Sequence, residues 1–289
     1  MTRKPERLPP DSATILERSR GVIFARWQEV LRLRLAVLKT SDLEDIHDLR
    51  VASRRFRAAF ELYYPLAPPG AKTELKKDIR RLTHILGDLR NIDEALVFFR
   101  QQADCDAVAA GLCTLLEQLR PAELKHVRKT LKAFDHRSLE RIVRETAASL
   151  NDDFIAHRNR FSLLAYLSDV SIRRYLPIHQ LLSVCHAPES RTSRHALRIA
   201  VKKWRYFLEL VQPVLDRDYA PVLGLLKEYQ ALLGRMNDMA EFGVLLRKQA
   251  LSNEAKEYAA ATLAAEEARL MAGFTELVEQ RPLAYTFLI

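Results

Sequence analysis

Apolar residues return every three or four positions along almost the whole chain, and no stretch of any length alternates with strand period. The pattern predicts long helices separated by few breaks. Asp11 or Ser12 is placed to cap a helix running to about residue 39, and a second helix runs from about 41–45 to Tyr64-Pro65. The loop LAPPGAKT leads to a third, from about 72 to 102. Shorter helical patterns cover about 106–119, 122–134 and 138–154, and a longer one covers 159–182, with Pro177 as a kink or stop. SVCHAPES is the clearest linker. Beyond it, helices are predicted at about 191–211, 220–250 and 253–280, and the residues after Pro282 read as a tail.

The pattern also repeats. Residues 47–66, HDLRVASRRFRAAFELYYPL, align without a gap to residues 195–214, HALRIAVKKWRYFLELVQPV, with eight of 20 positions identical and most others conservative. A second matching pair follows in order, LGDLRNID from Leu86 and LGRMND from Leu233, at nearly the same offset. The chain therefore reads as a tandem duplication of a helical unit. Its expected divisions are 1–155 and 156–289, each the size of a four-helix bundle.

Composition narrows the class. Among 289 residues there are only eight glycines, against a β-protein or a fold built on several glycine-rich phosphate loops. Cys105, Cys113 and Cys185 are an odd number without CxxC spacing, which excludes a disulfide framework or zinc ribbon and reads as buried inert thiols. No apolar run approaches the roughly 20 residues of a membrane helix. The start, MTRKPERLPPDS, has no apolar stretch behind its basic residues and is not a secretory signal. A cytoplasmic setting without membrane attachment is expected.

Lys and Arg number 46 against 37 Asp and Glu, a formal charge of +9, which speaks to an anionic partner rather than to fold. The repeat gives that charge a location. On a helix at about 100° per residue, with His47 as zero, Arg50, Arg54 and Arg57 fall at about −60°, −20° and −80°. Leu49, Ala52, Phe56, Ala59, Phe60 and Tyr63 lie opposite. The second copy repeats the map with His195, Arg198, Lys202 and Arg205 against Leu197, Ala200, Trp204, Phe207, Leu208 and Val211, and Arg55 and Lys203 occupy corresponding flanks. Residues 191–206 contain no acid at all. Like charges at this spacing repel, so a one-sided stripe kept in both copies reads as an anion-binding face. The competing reading is a solvated face neutralised by acids on neighbouring helices.

The third helix carries Lys72, Lys76, Lys77, Arg80, Arg81 and His84 on one side, where Glu74 and Asp78 also offer local partners. Its counterpart is less basic, with Lys227 and Arg235, so the halves are unequal. Asp88, Arg90, Asn91, Asp93, Asn237 and Asp238 read two ways: as side chains orienting cations from the neighbouring helix, or as polar surface beside helices packed closely at Gly87 and Gly234. Lys125, Arg128, Lys129 and Lys132 read as a solvated helix face. No catalytic constellation emerges. The proline that follows a phosphorylated histidine in sensor kinases is missing, no His precedes His47 to make a metal phosphohydrolase site, and HExxH, Walker A and paired-carboxylate signatures are absent. The sequence calls for no metal or cofactor.

The segments HDLRVASRRFRAAFEL and HALRIAVKKWRYFLEL, each followed by its LG-x-x piece, resemble the CHAD family, the conserved-histidine α-helical domain. The resemblance extends over about residues 12–280. It implies an all-α fold of two four-helix bundles with pseudo-twofold symmetry around a basic central groove or channel, and an inorganic polyphosphate ligand held without catalysis, with polyphosphate granules as a candidate location. The E-x-E-x-K strand motif of the CYTH domain joined to some members is absent, so the chain reads as a stand-alone member. Asn91 replaces a usual Asp, and Lys202-Lys203 an Arg pair. The expected ligand-binding set is His47, Arg50, Arg54, Arg55, Arg57, Lys72, Lys76, Lys77, Arg80, Arg81, His84, His195, Arg198, Lys202, Lys203, Arg205, Tyr206 and Lys227. His47 and His195 are expected to donate to phosphate or to orient Arg, tightening binding at lower pH. A nucleic-acid-binding protein is the alternative, weakened because Phe56 and Trp204 lie opposite the charges and leave only Tyr206 to stack on bases. A polyphosphate-handling enzyme is a third possibility, which would need carboxylates in the stripes.

Overall fold

The structure is a computed structural model that describes residues 10–66, 72–104, 106–150, 162–185 and 190–287, with the side chains of 72–76 outside the description. The described residues form helices α1 (Ser12–Lys39), α2 (Leu43–Tyr63), α3 (Lys72–Ala103), α4 (Ala107–Ala133), α5 (His136–Ala148), α6 (Leu163–Leu182), α7 (Arg191–Leu215), α8 (Ala220–Arg247) and α9 (Asn253–Gln280), with one 3-10 turn at Tyr64–Leu66 and no strand among them. None of these helices is long and apolar enough to cross a membrane.

Local chemistry sets the helix starts. Asp11 accepts from the Thr14 amide at 2.8 Å, Asp106 from Val108 and Ala109, and Ser252 from Ala255, so each oxygen satisfies an otherwise orphaned N–H. The two shorter patterns at 106–119 and 122–134 are one helix, α4, running through Pro121. Pro121 is exposed, where the carbonyl deprived of its donor stays within reach of water. Pro177 likewise sits inside α6 rather than ending it, and exposed Pro213 inside α7, which extends to Leu215. The predicted helix at 138–154 ends at Ala148; its last residues, 151–154, lie outside the described set.

α1 packs against α2, α2 against α3 and α3 against α4; α6 packs against α7, α7 against α8 and α8 against α9. The two series meet where α1 and α2 pack against α7, α3 against α8 and α4 against α9, and their buried apolar residues form one connected core. Contacts recur at the 148-residue offset. Trp27 packs on Phe56 with ring centroids 5.1 Å apart, and the corresponding Tyr175 packs on Trp204 at 5.9 Å. The units differ at their ends. The first carries α5 against α1, whereas the second is closed by the chain after Pro282. There Tyr285 stacks on Trp204 at 5.8 Å and Phe287 packs on Phe207; Leu283 and Phe287 are buried, so residues 283–287 are packed onto the core rather than forming a loose tail.

Candidate anion-binding cleft

Each amphipathic basic helix turns its apolar face into the core, leaving its charged stripe at the seam with the other unit. Leu49, Phe56 and Leu62 of α2, and Leu197, Phe207 and Leu208 of α7, are fully buried. Arg50 and Arg54 therefore stand one turn apart on α2, Arg198 and Lys202 one turn apart on α7, and all four converge on one cleft. A cavity of about 260 Å³ is bordered by these four together with Arg90 and Glu94 of α3 and Gln230, Gly234, Arg235 and Asp238 of α8. A second, of about 240 Å³, shares Arg50, Arg54 and Lys202 and continues to Arg57, Glu61, Thr83, Arg174, Lys203 and Tyr206. Cations far outnumber the three acids.

Those acids are already engaged. Asp238, 3% exposed, receives both terminal nitrogens of Arg90 at 3.0 and 3.2 Å. Glu94 lies 3.4 Å from the same guanidinium. Glu61 pairs with Arg57 at 3.3 Å. Arg50, Arg54, Arg198 and Lys202 have no carboxylate ion pair among the described residues. Their cost is electrostatic. Burial, then Arg54 and Arg90, push Arg50 down to about 9; burial, then the charges of Arg54, Arg198, Arg57 and Arg50, push the Lys202 amine down to about 7. Arg54 and Arg198 are lowered by burial as well. Arg90 moves the other way: burial alone would lower it, but the hydrogen bonds and charge of Asp238 outweigh that. Desolvated cations that repel one another form a site whose strain an anion relieves.

The expected residues divide. Arg50, Arg54, Arg57, Arg198, Lys202, Lys203 and Tyr206 line the cleft. Tyr206 is buried and carries the Arg54 guanidinium 5.8 Å and that of Arg205 5.1 Å from its ring centre, so its ring is engaged by cations instead of standing free for bases. Arg55 and Arg205 border neither cavity and share Glu209, at 3.5 and 3.3 Å. There the neutralised-face reading applies, as it does to Arg191, which pairs with Glu267 on α9. His47, Lys77, Arg80, Arg81, His84 and Lys227 are exposed outside both cavities, and His84 meets Asp88 at 2.9 Å. Exposed His195 places Nδ1 2.9 Å from Asn237 Oδ1, in a neighbouring cavity with Arg191 and Arg194. Lys72 and Lys76 lie outside the described side chains.

Asp238 and Asn237 thus do orient cationic or polar side chains of neighbouring helices. Gly87 and Gly234 are not sites of close packing, because a Cβ at either meets nothing within 4 Å. Arg174 of α6 was missed in the sequence. Its counterpart at offset 148 is Arg26, and each precedes an aromatic residue, Trp27 or Tyr175; extending the repeat upstream exposes the pair. Burial lowers both, while Glu61 supports Arg174 and Glu209 supports Arg26. Arg90 and Arg235 gave less signal, since their counterparts are Asn237 and Asp88. Among the described residues no cluster of His, Cys, Asp and Glu is arranged to hold a metal ion.

The CHAD domain family model matches residues 22–247. The crystal structure of the CHAD domain from the plant Ricinus communis is 22% identical, with 99% of this chain and 98% of that chain covered and a TM-score of 0.77. PptA from Streptomyces chartreusis is 15% identical over 94% of this chain and 98% of its own, with a TM-score of 0.61. At these identities both show a shared fold. No curated protein matches the sequence.

Proposed function

The chain belongs to the CHAD domain family, and we propose that it binds inorganic polyphosphate, without catalysis, in the cleft between α2 and α7. The carrying observation is the convergence of Arg50, Arg54, Arg198 and Lys202 on one cavity, which shares three of them with a second, without a carboxylate ion pair for any of the four among the described residues. A polyphosphate chain supplies about one charge per residue and no base. Arg forks engage its oxygens in pairs and Lys as a point charge. Arg90 is fixed by Asp238 with its Nε still unpartnered, and Arg235, Arg174 and Lys203 extend the cationic wall in both directions. The catalytic alternative lacks support because Glu61, Glu94 and Asp238 are committed to arginines.

A competition assay tests the reading. Labelled long-chain polyphosphate bound to the protein is expected to be displaced by unlabelled polyphosphate and poorly by duplex or single-stranded nucleic acid. Equal or better displacement by nucleic acid overturns it. Arg50→Ala with Arg198→Ala is expected to weaken binding at least tenfold, on the scale of about 1.5–3 kcal/mol per charge-assisted hydrogen bond, with the helical signal retained. Phosphate release in the presence of a divalent cation would make the protein an enzyme instead.

A further inference from the structure

The four central cations differ in one respect. The counterpart of Lys202 at the 148-residue offset is Arg54, and Arg50 and Arg198 are also arginines. A guanidinium keeps its proton throughout the neutral range even when pushed down as Arg50 is. An amine in the same surroundings does not. Lys202 borders both cavities, at their junction, and among the described residues its amino group has no ion pair.

Every charged or titratable group sharing those cavities favours the neutral amine or is occupied elsewhere. α2 supplies Arg50, Arg54 and Arg57, with Glu61 paired to Arg57. α3 supplies Arg90 beside Glu94, and α8 supplies Arg235 and the Asp238 that holds Arg90. Arg174 comes from α6, and Arg198, Lys203 and Tyr206 share α7 with Lys202 itself. No acid remains to hold a proton on Lys202 until an anionic ligand arrives.

We propose that polyphosphate capture in this cleft is coupled to uptake of one proton by Lys202, so that binding tightens as pH falls through neutrality. The inference rests on the polyphosphate reading of the same site. In the free protein the amine, pushed down to about 7, is about half protonated at that pH. Phosphoryl oxygens beside it offset the surrounding arginine charge and favour the ammonium. The balance is closed: the neutral amine, one proton from solvent and the polyanion give an ammonium–phosphate ion pair, with no other bond made or broken. Above about pH 7, affinity then falls by up to tenfold per pH unit, the limit for one proton taken up. Below about pH 6 the profile flattens, because free and bound proteins are both protonated. The exposed His47 and His195 are not needed for this dependence.

Calorimetric titration of long-chain polyphosphate into the full chain between pH 6 and 9, in two buffers of different ionisation heat, reads affinity and proton uptake together. Long chains keep the titrating end groups few. The wild type is expected to take up close to one proton at pH 8 and to lose affinity steadily above neutrality. Lys202→Arg, which fixes the charge, is expected to take up none there and to give a flatter profile, with affinity at pH 8.5 equal to or above wild type. Lys202→Met is expected to bind less tightly than wild type at pH 6, with the same flat profile. Equal slopes and equal uptake in wild type and Lys202→Arg overturn the inference while leaving polyphosphate binding standing. Absence of wild-type binding at every pH overturns the functional reading and the inference together.

Discussion

Arg90 of α3 and Asp238 of α8 clasp each other across the seam between the two repeated units, through two hydrogen bonds of 3.0 and 3.2 Å. At the 147-residue offset of the Leu86 and Leu233 segments, Arg90 corresponds to Asn237 and Asp238 to Asn91, so the seam carries this clasp once rather than twice. Removing one member of a buried pair leaves the other charge uncompensated, at a cost of about 3 kcal/mol. Asp238→Ala is therefore expected to lower unfolding stability by that amount in a urea titration. It should not weaken polyphosphate binding, because it deletes an acid from the cavity wall. Parallel losses of stability and affinity would show that Asp238 shapes the cleft as well as joining α3 to α8.

Gly87 and Gly234 sit within helices α3 and α8, where glycine costs up to about 1 kcal/mol relative to alanine. Open space faces both Cβ positions. Gly87→Ala and Gly234→Ala are each expected to raise stability by about 0.5–1 kcal/mol in the same measurement. Gly234 also borders the 260 Å³ cavity. Gly234→Glu should therefore project an acid into the cleft and weaken polyphosphate binding several-fold, while Gly87→Glu, outside both cavities, should have less effect. A reversed ranking would move the ligand away from α8.

The helical periodicity and the repeat made most of the fold legible, because the apolar face of each copy had to be buried and the charged face could not be. Prolines misled. Pro121 falls in the predicted break between 119 and 122, Pro177 reads as a kink or stop within 159–182, and Pro213 lies just past the predicted end at 211, yet the helices continue through all three. The central stripe was legible for the same reason as the core: Arg50, Arg54, Arg198 and Lys202 share one side of their helices. Periodicity does not record which cation a distant acid claims. Glu209 lies within the α7 repeat itself, yet one carboxylate draws in both Arg55 and Arg205. Nor does it show how far along a helix the neighbouring unit reaches, which is why exposed His47 and His84 looked equivalent to Arg50 and Arg54. Arg174 was hidden because its helix is not basic overall; only its match with Arg26 identifies it.

Glu61 lies at the 240 Å³ cavity and holds Arg57 at 3.3 Å, with side chains 32% and 37% exposed. Such a half-exposed pair adds less than about 1 kcal/mol to stability, but its carboxylate competes with a phosphate for the guanidinium and repels the incoming chain. Glu61→Gln is expected to tighten polyphosphate binding a few-fold with little change in stability. The dependence of affinity on salt should also steepen, since one more cation is free to neutralise phosphate. Fluorescence anisotropy at several salt concentrations checks both. An unchanged salt slope would mean that the ligand stops short of Arg57.

Lys202 also links pH to the stability of the free protein, with a sign opposite to that of a stabilising ion pair. Its amine is pushed from the ordinary lysine value of 10.5 down to about 7 by burial and by the neighbouring arginines. Between those values the unfolded chain binds the proton more tightly than the folded one, so this residue makes stability rise with pH. Its penalty is fully present below about pH 7 and disappears as pH climbs through 10.5. Lys202→Met removes the titrating group while keeping an unbranched side chain. Thermal unfolding without ligand should place the variant's Tm above wild type by about 8 °C at pH 6, with the gap closing above about pH 10.5. Comparing variant with wild type at each pH cancels the titration of all other groups. A constant gap would assign the gain to packing, and a gap that widens with pH would mean that the lysine is charged and stabilised in the fold.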